Sequence, residues 1–583
     1  MDIKNFCANV CFIQTSFLLL QEILFTIMEK DIFEKKFPLV PGVCMIGALG
    51  MPAAALGETG DNLKKEKQAP NIILILADDL GYGDLSCYGA TKIQTPALDQ
   101  MASEGMRFTN AYSCSSLSTP SRYSVLTGRY PWRTRLEYGV LNSYDKPLIE
   151  PERTTVASLL KRHGYYTACV GKWHLGLEWE LNDNAPEDPE KNVFSSPKDN
   201  LQVYIDFSKP VKGGPVERGF DYFFGMAGSN NMQPWVYIEN DRVLQPPTEY
   251  QKPYDFIAEN VTRAPDWDMR TVNQVTTVKA VEVINNHFAN NKDQPLFLYF
   301  PTSAIHRPCL PTFTMGKSQA GLRGDIVVEL DWTVNEVVKA LKANNAYENT
   351  LIIFTSDNGP RPGDPAIWIN RYKNEDYEEY QDYFGDFNPE YINEKGNAIW
   401  KNGWLTYDHR SSGVFRGFKQ DPSEGGLRVP FIVHWPGKVK PAGVNNSLIC
   451  GGDILATFAE LMGDQLKENE GEDSYSFLPN ILNIKAPQVR ETVTLASGSS
   501  GALVMIRDGW KYIEPAKPGR WPETYYPESP GDKIPRLFNL NEDMSENINL
   551  YDKMSGKAAE LVKIIDKVKA NAKSESNKII KNK

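Results

Sequence analysis

The chain has 583 residues, 41% hydrophobic and 11% aromatic, and its 74 Asp and Glu outnumber 63 Lys and Arg to give a formal net charge of −11. Its 43 Gly and 39 Pro follow no period, which excludes collagen-like, coiled-coil and wholly disordered chains. The acidic balance argues against a general nucleic-acid-binding protein, because such proteins contact phosphates with Lys and Arg. With only 6 His and 8 Cys, a catalytic or metal site must be built mostly from other residue types.

The N-terminal segment differs from the rest of the chain and predicts a leader. Of its two apolar stretches, 6–27 and 37–56, the second follows a basic run and ends in small residues. This order is typical of a secretory signal peptide, so we expect a leader over 1–57 with translation starting at Met28, then a linker over 58–69. A membrane anchor is the alternative, because each stretch approaches the roughly 20 apolar residues that span a bilayer. The signal peptide predicts a secreted or periplasmic protein with no membrane attachment in its mature form.

Four short, uniformly apolar runs predict central strands of a parallel sheet, because strands covered on both faces have no polar side. They lie at residues 71–77, 166–171, 295–300 and 350–355. Helical periodicity alternates with them at residues 95–105, 155–163, 275–290 and 325–343. This alternation predicts an α/β fold, a mostly parallel sheet sandwiched by helices.

The end of the chain predicts a second, smaller unit. Short alternating runs are typical of an antiparallel sheet, and they occur at 493–496, 502–507 and 510–514. A helical pattern follows at 558–570. We therefore expect a main domain over residues 70–485 and a C-terminal α+β subdomain over residues 486–583.

Carboxylates and an amide directly follow two of the predicted strands. Asp78 and Asp79 come after the first strand, and Asp357 and Asn358 come after the fourth. Ligands bind beyond the carboxyl ends of strands in such sheets, so we expect these side chains at one site. Buried carboxylates that lie close together repel one another unless a cation lies among them, and an all-oxygen set favours Ca²⁺ or Mg²⁺ over zinc or copper. A helix N-cap pair is the alternative role for Asp78 and Asp79.

Residues 118–128 carry the most informative motif, Ser-Thr-Pro-Ser-Arg-Tyr-Ser-Val-Leu-Thr-Gly. Pro120 and Ser121 predict the start of a short helix, with Ser121 as its cap or in its first turn. Ser118 then lies beside a helix N-terminus, which favours anionic chemistry; an ordinary loop serine is the alternative. The segment resembles the signature of the type I sulfatases, (Cys/Ser)-x-Pro-Ser-Arg followed by Leu-Thr-Gly, whose first residue is oxidised to formylglycine.

Further motifs follow in the order found in that family. They are Gly-Lys-Trp-His-Leu-Gly at 171–176, Gly-Phe-Asp-Tyr-Phe-Phe-Gly at 219–225, a His-x-Pro loop at His306, Ser-Asp-Asn-Gly at 356–359, Arg-Gly-Phe-Lys at 416–419 and Glu-Gly-Gly-Leu-Arg-Val-Pro at 424–430. On these motifs the chain is identified as a member of the formylglycine-dependent sulfatases of the alkaline phosphatase-like superfamily. It resembles the serine-type arylsulfatases and carbohydrate sulfatases of bacteria. The resemblance covers residues 70–440, and the C-terminal part by order and size.

The resemblance implies the cofactors of the site. Ser118 would be converted to formylglycine by a radical maturation enzyme of the anaerobic type. One metal ion would be bound, Ca²⁺ in preference to Mg²⁺. Its ligands would be Asp78, Asp79, Ser118, Asp357 and Asn358.

The resemblance also implies the roles of the other residues. One hydroxyl of the hydrated formylglycine would attack sulfur, and the second would later expel sulfate. Arg122 would support the formylglycine and the metal, and His174 would contact the attacking hydroxyl. Lys172 and Lys419 would bind and neutralise the sulfuryl group. His306 would bind the substrate and protonate the departing sugar oxygen as general acid.

Two further polar residues are candidates for substrate binding. Ser229 aligns with a serine near the active site in the family. His409 precedes the 416–419 motif, where it would line the outer wall of the pocket and touch the sugar. The aromatic and acidic stretch 372–404 is either a rim loop that recognises a glycan by stacking or a decorated surface loop.

The predicted function is removal of sulfate from a carbohydrate. Family analogy favours exo action on a galactose- or hexosamine-type unit of a glycosaminoglycan, mucin or algal glycan. The predicted partners are this sulfated glycan and the maturation enzyme, and nucleic acid is not among them. One alternative is a phosphonate or phosphate ester hydrolase, which the sparse histidines disfavour because such relatives use several His ligands. The other is a non-catalytic glycan-binding relative with unmodified Ser118.

Overall fold

The computed structural model describes residues 69–185, 201–251, 261–307, 309–361, 409–441, 443–516 and 533–571. The predicted leader with its start at Met28, nearly all of the predicted linker and the aromatic stretch 372–404 lie outside the described residues. Within the described ranges, no helix is both long and apolar enough to cross a membrane.

The strands are short, and most of them belong to one large sheet. In chain order they are β1 (Asn71–Ala77), β2 (Met106–Phe108), β3 (Ala111–Tyr112), β4 (Tyr166–Lys172), β5 (Tyr222–Met226), β6 (Ile238–Glu239), β7 (Arg242–Val243), β8 (Glu249–Tyr250), β9 (Thr262–Arg263), β10 (Leu296–Pro301), β11 (Thr350–Ser356), β12 (Phe431–His434), β13 (Gly443–Asn445), β14 (Ile449–Cys450), β15 (Thr492–Ala496), β16 (Leu503–Arg507), β17 (Trp510–Ile513) and β18 (Arg536–Asn539).

The large sheet has the strand order β13-β2-β12-β11-β1-β10-β4-β5-β6-β7. Its central strands β11, β1, β10, β4 and β5 are all parallel. These include the four predicted strands, so the predicted mostly parallel sheet is confirmed. β12 runs antiparallel to both of its neighbours. Every residue of β1 is buried, which explains why its sequence has no polar side.

Helices pack against the large sheet in two groups. In chain order the helices are α1 (Pro96–Glu104), α2 (Ser118–Thr127), α3 (Val156–Arg162), α4 (Val272–Asn290), α5 (Gly321–Ala343), α6 (Glu424–Leu427), α7 (Ile454–Leu461), α8 (Leu478–Leu482) and α9 (Ser555–Ala570). One group joins α1, α4 and α5, and the other joins α2, α3 and α7. α4 and α5 each begin about one turn earlier than predicted, a common uncertainty for helix ends.

The C-terminal residues form the predicted antiparallel sheet, with the order β15-β16-β17-β18. α9 packs against β16 and β17. It does so through one buried stripe, Ala558, Leu561, Ile565 and Val568. The last residue of β15, Ala496, donates its N–H to the carbonyl oxygen of Cys114 at 3.0 Å, so this sheet contacts the segment that leads into α2. The domain boundary between 485 and 486 stays a prediction.

Candidate active site

The carboxyl ends of β1 and β11 bring four of the predicted metal ligands together. The two strands are paired up to their last residues, so Asp78 and Asp357, which follow them, lie side by side. The backbone N–H of Asp79 donates to Asp357 Oδ1 at 3.1 Å, and Asn358 Nδ2 donates to Asp79 Oδ1 at 2.8 Å. All four side chains are buried. The sheet topology thus places three carboxylates and an amide in one solvent-protected cluster.

Ser118 lies against this cluster. It is the first residue of α2, so it belongs to the first turn of the helix rather than lying beside it as predicted. Its Oγ is 3.3 Å from Asp78 Oδ1 and 3.3 Å from Asn358 Oδ1, and the residue is buried. The positive end of the helix dipole therefore lies beside the hydroxyl and favours negative charge there.

Three buried cations face the carboxylates. The closest pairs, at 2.6–2.7 Å, are Lys172 with Asp78, Lys419 with Asp79 and Arg122 with Asp357. Arg122 also donates through Nη1 to the carbonyl oxygen of Lys172 at 3.3 Å, so it links the end of β4 to the end of β11. The three cations come from α2, β4 and the 416–419 motif, which converge on one carboxylate cluster.

Burial and charge together govern the titration of these groups. Burial raises the pKa of Asp78 to about 7, opposed by Lys172 and assisted by repulsion from Asp357 and Asp79. Burial also acts on Asp357, but Arg122 overcomes it and holds the pKa of that carboxyl well below its usual range. The carboxylates therefore compete for positive charge, and a divalent cation among them would relieve the repulsion.

His174 follows β4 and has a defined tautomer. Its Nε2 lies 2.9 Å from the carbonyl oxygen of Leu141, which only accepts, so Nε2 carries the proton. Burial, followed by the charges of Lys172 and Arg122, holds its pKa well below the ordinary value. The ring is therefore neutral, and Nδ1 is an acceptor. Nδ1 is buried and has no hydrogen-bond partner among the described residues.

His306 is oriented in the opposite sense. Its Nδ1 lies 2.8 Å from the carbonyl oxygen of Arg307, so Nδ1 carries the proton. Its Nε2 faces the carboxylates at 3.8 Å from Asp79 Oδ2. Burial, followed by Lys419 and Lys172, holds the pKa of His306 well below the ordinary value. A negatively charged ligand between the lysines would offset their effect and raise it.

Ser229 and His409 lie in different surroundings. Ser229 follows β5, which is parallel to β4, so it lies at the same edge of the sheet as Lys172. Its Oγ is buried without a partner in the part of the chain that the structure describes. His409 Nε2 instead lies 2.8 Å from Asp84 Oδ1, a fully buried carboxylate. The predicted contacts of both residues with a sugar stay predictions.

Two buried charged clusters near the site were not predicted. Arg323 Nη1 and Nη2 each lie 2.6 Å from an oxygen of Asp84, and Nη2 also lies 3.4 Å from the carbonyl oxygen of Asp79. Glu424 pairs with Lys511 of the C-terminal sheet at 2.9 Å. In the sequence, the signal for the first cluster is Asp84, a third carboxylate in the segment that follows β1. The pairing of Glu424 with Lys511 had no sequence signal.

The donor atoms of the cluster fit a hard divalent cation. Asp78, Asp79 and His306 each offer an atom within 4.8 Å of the other two. The oxygen atoms of Asp357 and Asn358 extend this set. Carboxylate and amide oxygens are the ligands that Ca²⁺ and Mg²⁺ prefer.

The chain matches the family model described as Sulfatase over residues 70–464. It is 32% identical over 569 residues to the N-acetylgalactosamine-6-O-sulfatase of Bacteroides thetaiotaomicron, an alignment that covers 91% of this chain and 98% of that protein. It is 29% identical to human arylsulfatase A over 85% of this chain and 86% of that protein.

Solved structures of sulfatases have the same fold. One from the study of glycosaminoglycan metabolism by Bacteroides thetaiotaomicron superposes with a TM-score of 0.69 at 32% identity, covering 87% of this chain and 100% of that one. A Pseudoalteromonas sulfatase superposes with a TM-score of 0.60 at 25% identity, covering 87% and 91%. The predicted alkaline phosphatase-like fold is confirmed. The chain belongs to the sulfatase family and is a sulfuric ester hydrolase.

Proposed function

We propose that this sulfatase removes 6-O-sulfate from a terminal N-acetylgalactosamine-type unit of a sulfated glycan. Support comes from the relative named N-acetylgalactosamine-6-O-sulfatase and from pig and human proteins named N-acetylgalactosamine-6-sulfatase, which are 29% and 28% identical. The solved relative described with glycosaminoglycan metabolism favours that glycan class over mucin or algal glycans. The observation that carries the chemistry is the buried set of three carboxylates and three cations around Ser118.

Ser118 would be the nucleophile after its oxidation to formylglycine by a radical maturation enzyme. Sulfatases generally use this group and a metal ion; the hydrated aldehyde supplies one hydroxyl to attack sulfur and a second for the release of sulfate. The oxygens of Asp78 and Asn358, each 3.3 Å from Ser118 Oγ, would hold the attacking hydroxyl in position. An unmodified serine has a single hydroxyl and would not complete this cycle.

The metal ion would be Ca²⁺, with Mg²⁺ as the second choice. Asp78, Asp79, Asp357, Asn358 and the modified Ser118 would hold it entirely with oxygen atoms. The close approach of three buried carboxylates is the observation that favours a cation here, and burial with repulsion from its neighbours correspondingly raises the pKa of Asp78. When bound, the ion supplies charge stabilisation to the sulfate oxygens and to the attacking hydroxyl.

His174 would accept the proton of a hydroxyl on the modified Ser118. The bond from Nε2–H to the Leu141 carbonyl leaves Nδ1 as the acceptor, and the lowered pKa keeps the ring neutral. A neutral, buried acceptor with no other partner among the described residues could act as a general base once the negative charge of the sulfate offsets the nearby cations that lower its pKa.

Lys172 and Lys419 would bind the sulfate group, and His306 would deliver a proton to the leaving sugar oxygen. Each lysine ammonium has three N–H donors, so its bond to a carboxylate leaves others for sulfate oxygens. Arg122, fixed between Asp357 and the end of β4, would hold the cluster in register. The sulfate charge would raise the pKa of His306 and thereby favour its acidic form.

The protein would act outside the cytoplasm. The charged–apolar–small order of residues 1–57 supports export by a signal peptide to the periplasm or the medium. A sulfated glycan would be met there. The maturation enzyme would be required before the substrate is turned over.

Mass spectrometry of the peptide that contains Ser118, combined with assays on sulfated monosaccharides, tests this function. We expect the matured enzyme to lose two hydrogen atoms at Ser118 and to hydrolyse N-acetylgalactosamine 6-sulfate much faster than the 4-sulfate. Substitution S118A should abolish turnover and leave the fold intact. Preference for the 4-sulfate, or turnover by S118A, would contradict the proposal.

A further inference from the structure

A small pocket, with about 20 Å³ of room for a water-sized group, lies next to His306. Its walls come from the N-terminal part of α4, the first half of α5 and the loops that follow β5 and β10. Its polar lining includes Asn230, Asn273, Ser303 and Glu329, and we call it the acceptor pocket. His306 belongs to the lining, so the pocket lies beside the residue that would protonate the departing sugar oxygen.

The acceptor pocket gathers buried atoms that lack hydrogen-bond partners among the described residues. They are Glu329 Oε2, Asn273 Oδ1, Asn230 Oδ1 and Ser303 Oγ. All four residues are less than one-tenth exposed. The two amide oxygens only accept, and a carboxylate oxygen also accepts, so the pocket offers acceptors to its occupant. Buried polar groups in folded proteins are nearly always hydrogen-bonded, so these acceptors call for donors from outside the chain, from water or from a ligand that displaces it.

Asn273 and Glu329 are held in place by their other contacts. Asn273 Nδ2 donates to Glu329 Oε1 at 3.2 Å and to Thr333 Oγ1 at 3.0 Å. Thr333 in turn lies 3.0 Å from Thr277 through their hydroxyl oxygens. These bonds orient the amide so that Asn273 Oδ1 is left for another donor. The site is therefore preorganised on two long helices.

The charge of the pocket limits what it accepts. Burial raises the pKa of Glu329 to about 7, opposed by hydrogen bonds from Asn273, Gln274 and the backbone of Thr312, and the carboxyl has an acceptor oxygen in either protonation state. Arg270 also lines the cavity, where its guanidinium is paired with Asp268 at 2.8 Å. A second sulfate or a carboxylate would meet the acceptor oxygens and be repelled. A neutral group that donates a hydrogen bond would not be repelled.

We propose that the acceptor pocket receives one donor substituent, a hydroxyl or an amide N–H, of the sugar that carries the scissile sulfate, and that Glu329 and Asn273 select for it. The pocket's roughly 20 Å³ is about the room that one water molecule needs, so one hydroxyl or N–H group fits and a further sugar unit does not. This inference rests on the proposed desulfation of a sugar and adds the residues that determine specificity for the sugar itself.

A cycle that pairs enzyme variants with substrate analogues tests the inference. The substrate is N-acetylgalactosamine 6-sulfate, and each analogue lacks one donor, either a ring hydroxyl or the amide N–H. With the wild type, we expect one analogue to lose about 10- to 100-fold in kcat/KM, as for a hydrogen bond to a charged group. With E329L, that analogue and the parent should have nearly equal kcat/KM, because the partner of the missing donor is gone.

Two further variants separate recognition from folding. E329Q keeps an acceptor oxygen and should retain part of the discrimination, which covers the case in which E329L does not fold. E336L is the control on the same helix, because Glu336 pairs with Lys339 at 2.8 Å on the surface. It should keep the wild-type ratio of kcat/KM between parent and analogue. The thermal midpoint of each variant reports folding independently.

Three outcomes would count against the inference. It is overturned if no analogue loses more than about 3-fold with the wild type, a change well below that of a hydrogen bond to a charged group. It is also overturned if E329L, or E329Q where E329L does not fold, lowers kcat/KM for parent and analogues by one common factor. A matured wild type that hydrolyses no sugar sulfate in the series would instead refute the proposed function, and the inference with it.

Discussion

Lys511 Nζ lies 2.9 Å from Glu424 Oε1 and 2.8 Å from Glu546 Oε1, and all three side chains are fully buried. Lys511 belongs to β17 of the small sheet, whereas Glu424 begins α6, shortly after Lys419. The backbone N–H of Glu424 also donates to Glu546 Oε2 at 2.7 Å. The C-terminal sheet therefore holds the loop that carries Lys419 through one buried lysine.

Substitution K511M should destabilise the protein strongly, because it leaves two buried carboxylates without their shared cation. We expect the free energy of unfolding to fall by about 3–5 kcal/mol, the range for removing one partner of a buried ion pair. The matured variant should also lose activity, because the anchor of the Lys419 loop is gone. Urea unfolding followed by tryptophan fluorescence measures the stability.

Substitution K569M is the matched control. Lys569 pairs with Glu514 at 2.6 Å, but its side chain is 43% exposed. Exposed ion pairs contribute about 0–1 kcal/mol, so this variant should unfold almost like the wild type. Equal destabilisation by K511M and K569M would contradict the anchoring role.

Much of the fold could be predicted because it depends on local patterns. The runs at 71–77 and 350–355 have no polar side, which is a property of central parallel strands, and each ends in polar residues at one edge of the sheet. The pairing of Lys511 with Glu424 could not be predicted, because it depends on how two distant parts of the chain pack. The acceptor pocket could not be predicted for the same reason, because Asn273 and Glu329 meet only where α4 packs against α5.

The site was predictable in its residue types but not in its detailed geometry. Asp79 and His174 have φ values of 61° and 56°, a left-handed conformation that is uncommon among residues other than glycine. Strained backbone of this kind occurs at functional sites and is imposed by the surrounding structure rather than by residue type. The tautomer of His174 likewise depends on the carbonyl of Leu141, which no motif contains.

Removal of divalent cations should lower both activity and stability. Without the metal ion, the carboxylates of Asp78, Asp79 and Asp357 repel one another in a buried site. At about 100 times its dissociation constant, a bound ion stabilises the folded state by about 2.7 kcal/mol. We expect EDTA to lower the thermal midpoint and Ca²⁺ to restore it more completely than Mg²⁺. A midpoint that is insensitive to both EDTA and Ca²⁺ would argue against the metal.

Substitution H174Q should reduce kcat much more than it changes KM, because it removes the neutral acceptor at Nδ1. General-base catalysis contributes about 10²–10⁴-fold, which sets the expected loss. Steady-state kinetics of the fully matured variant measures it, with the extent of maturation checked by mass spectrometry. H163Q is the control, because His163 pairs with Asp464 at 2.7 Å at a partly exposed position. Unchanged kcat in H174Q would exclude His174 as the base.

Stability should depend on pH through His434. Its Nε2 lies 2.7 Å from the hydroxyl oxygen of Tyr347, and burial lowers its pKa. As the pH falls below the unfolded value of about 6.5, the unfolded chain takes up a proton that folded His434 does not, so the contribution of this residue to stability is lost.

Substitution H434Q removes that titration and keeps an acceptor for Tyr347. The wild-type free energy of unfolding minus that of H434Q should therefore decrease from pH 7.5 to pH 5.5, by at most about 1.4 kcal/mol per pH unit. This difference cancels the contributions of other titrating groups that the two proteins share. Glu329 is one of them, and its raised pKa stabilises the folded state as the pH falls. Urea unfolding at several pH values gives both curves. Parallel curves, or a difference that grows at low pH, would show that His434 does not titrate in this way.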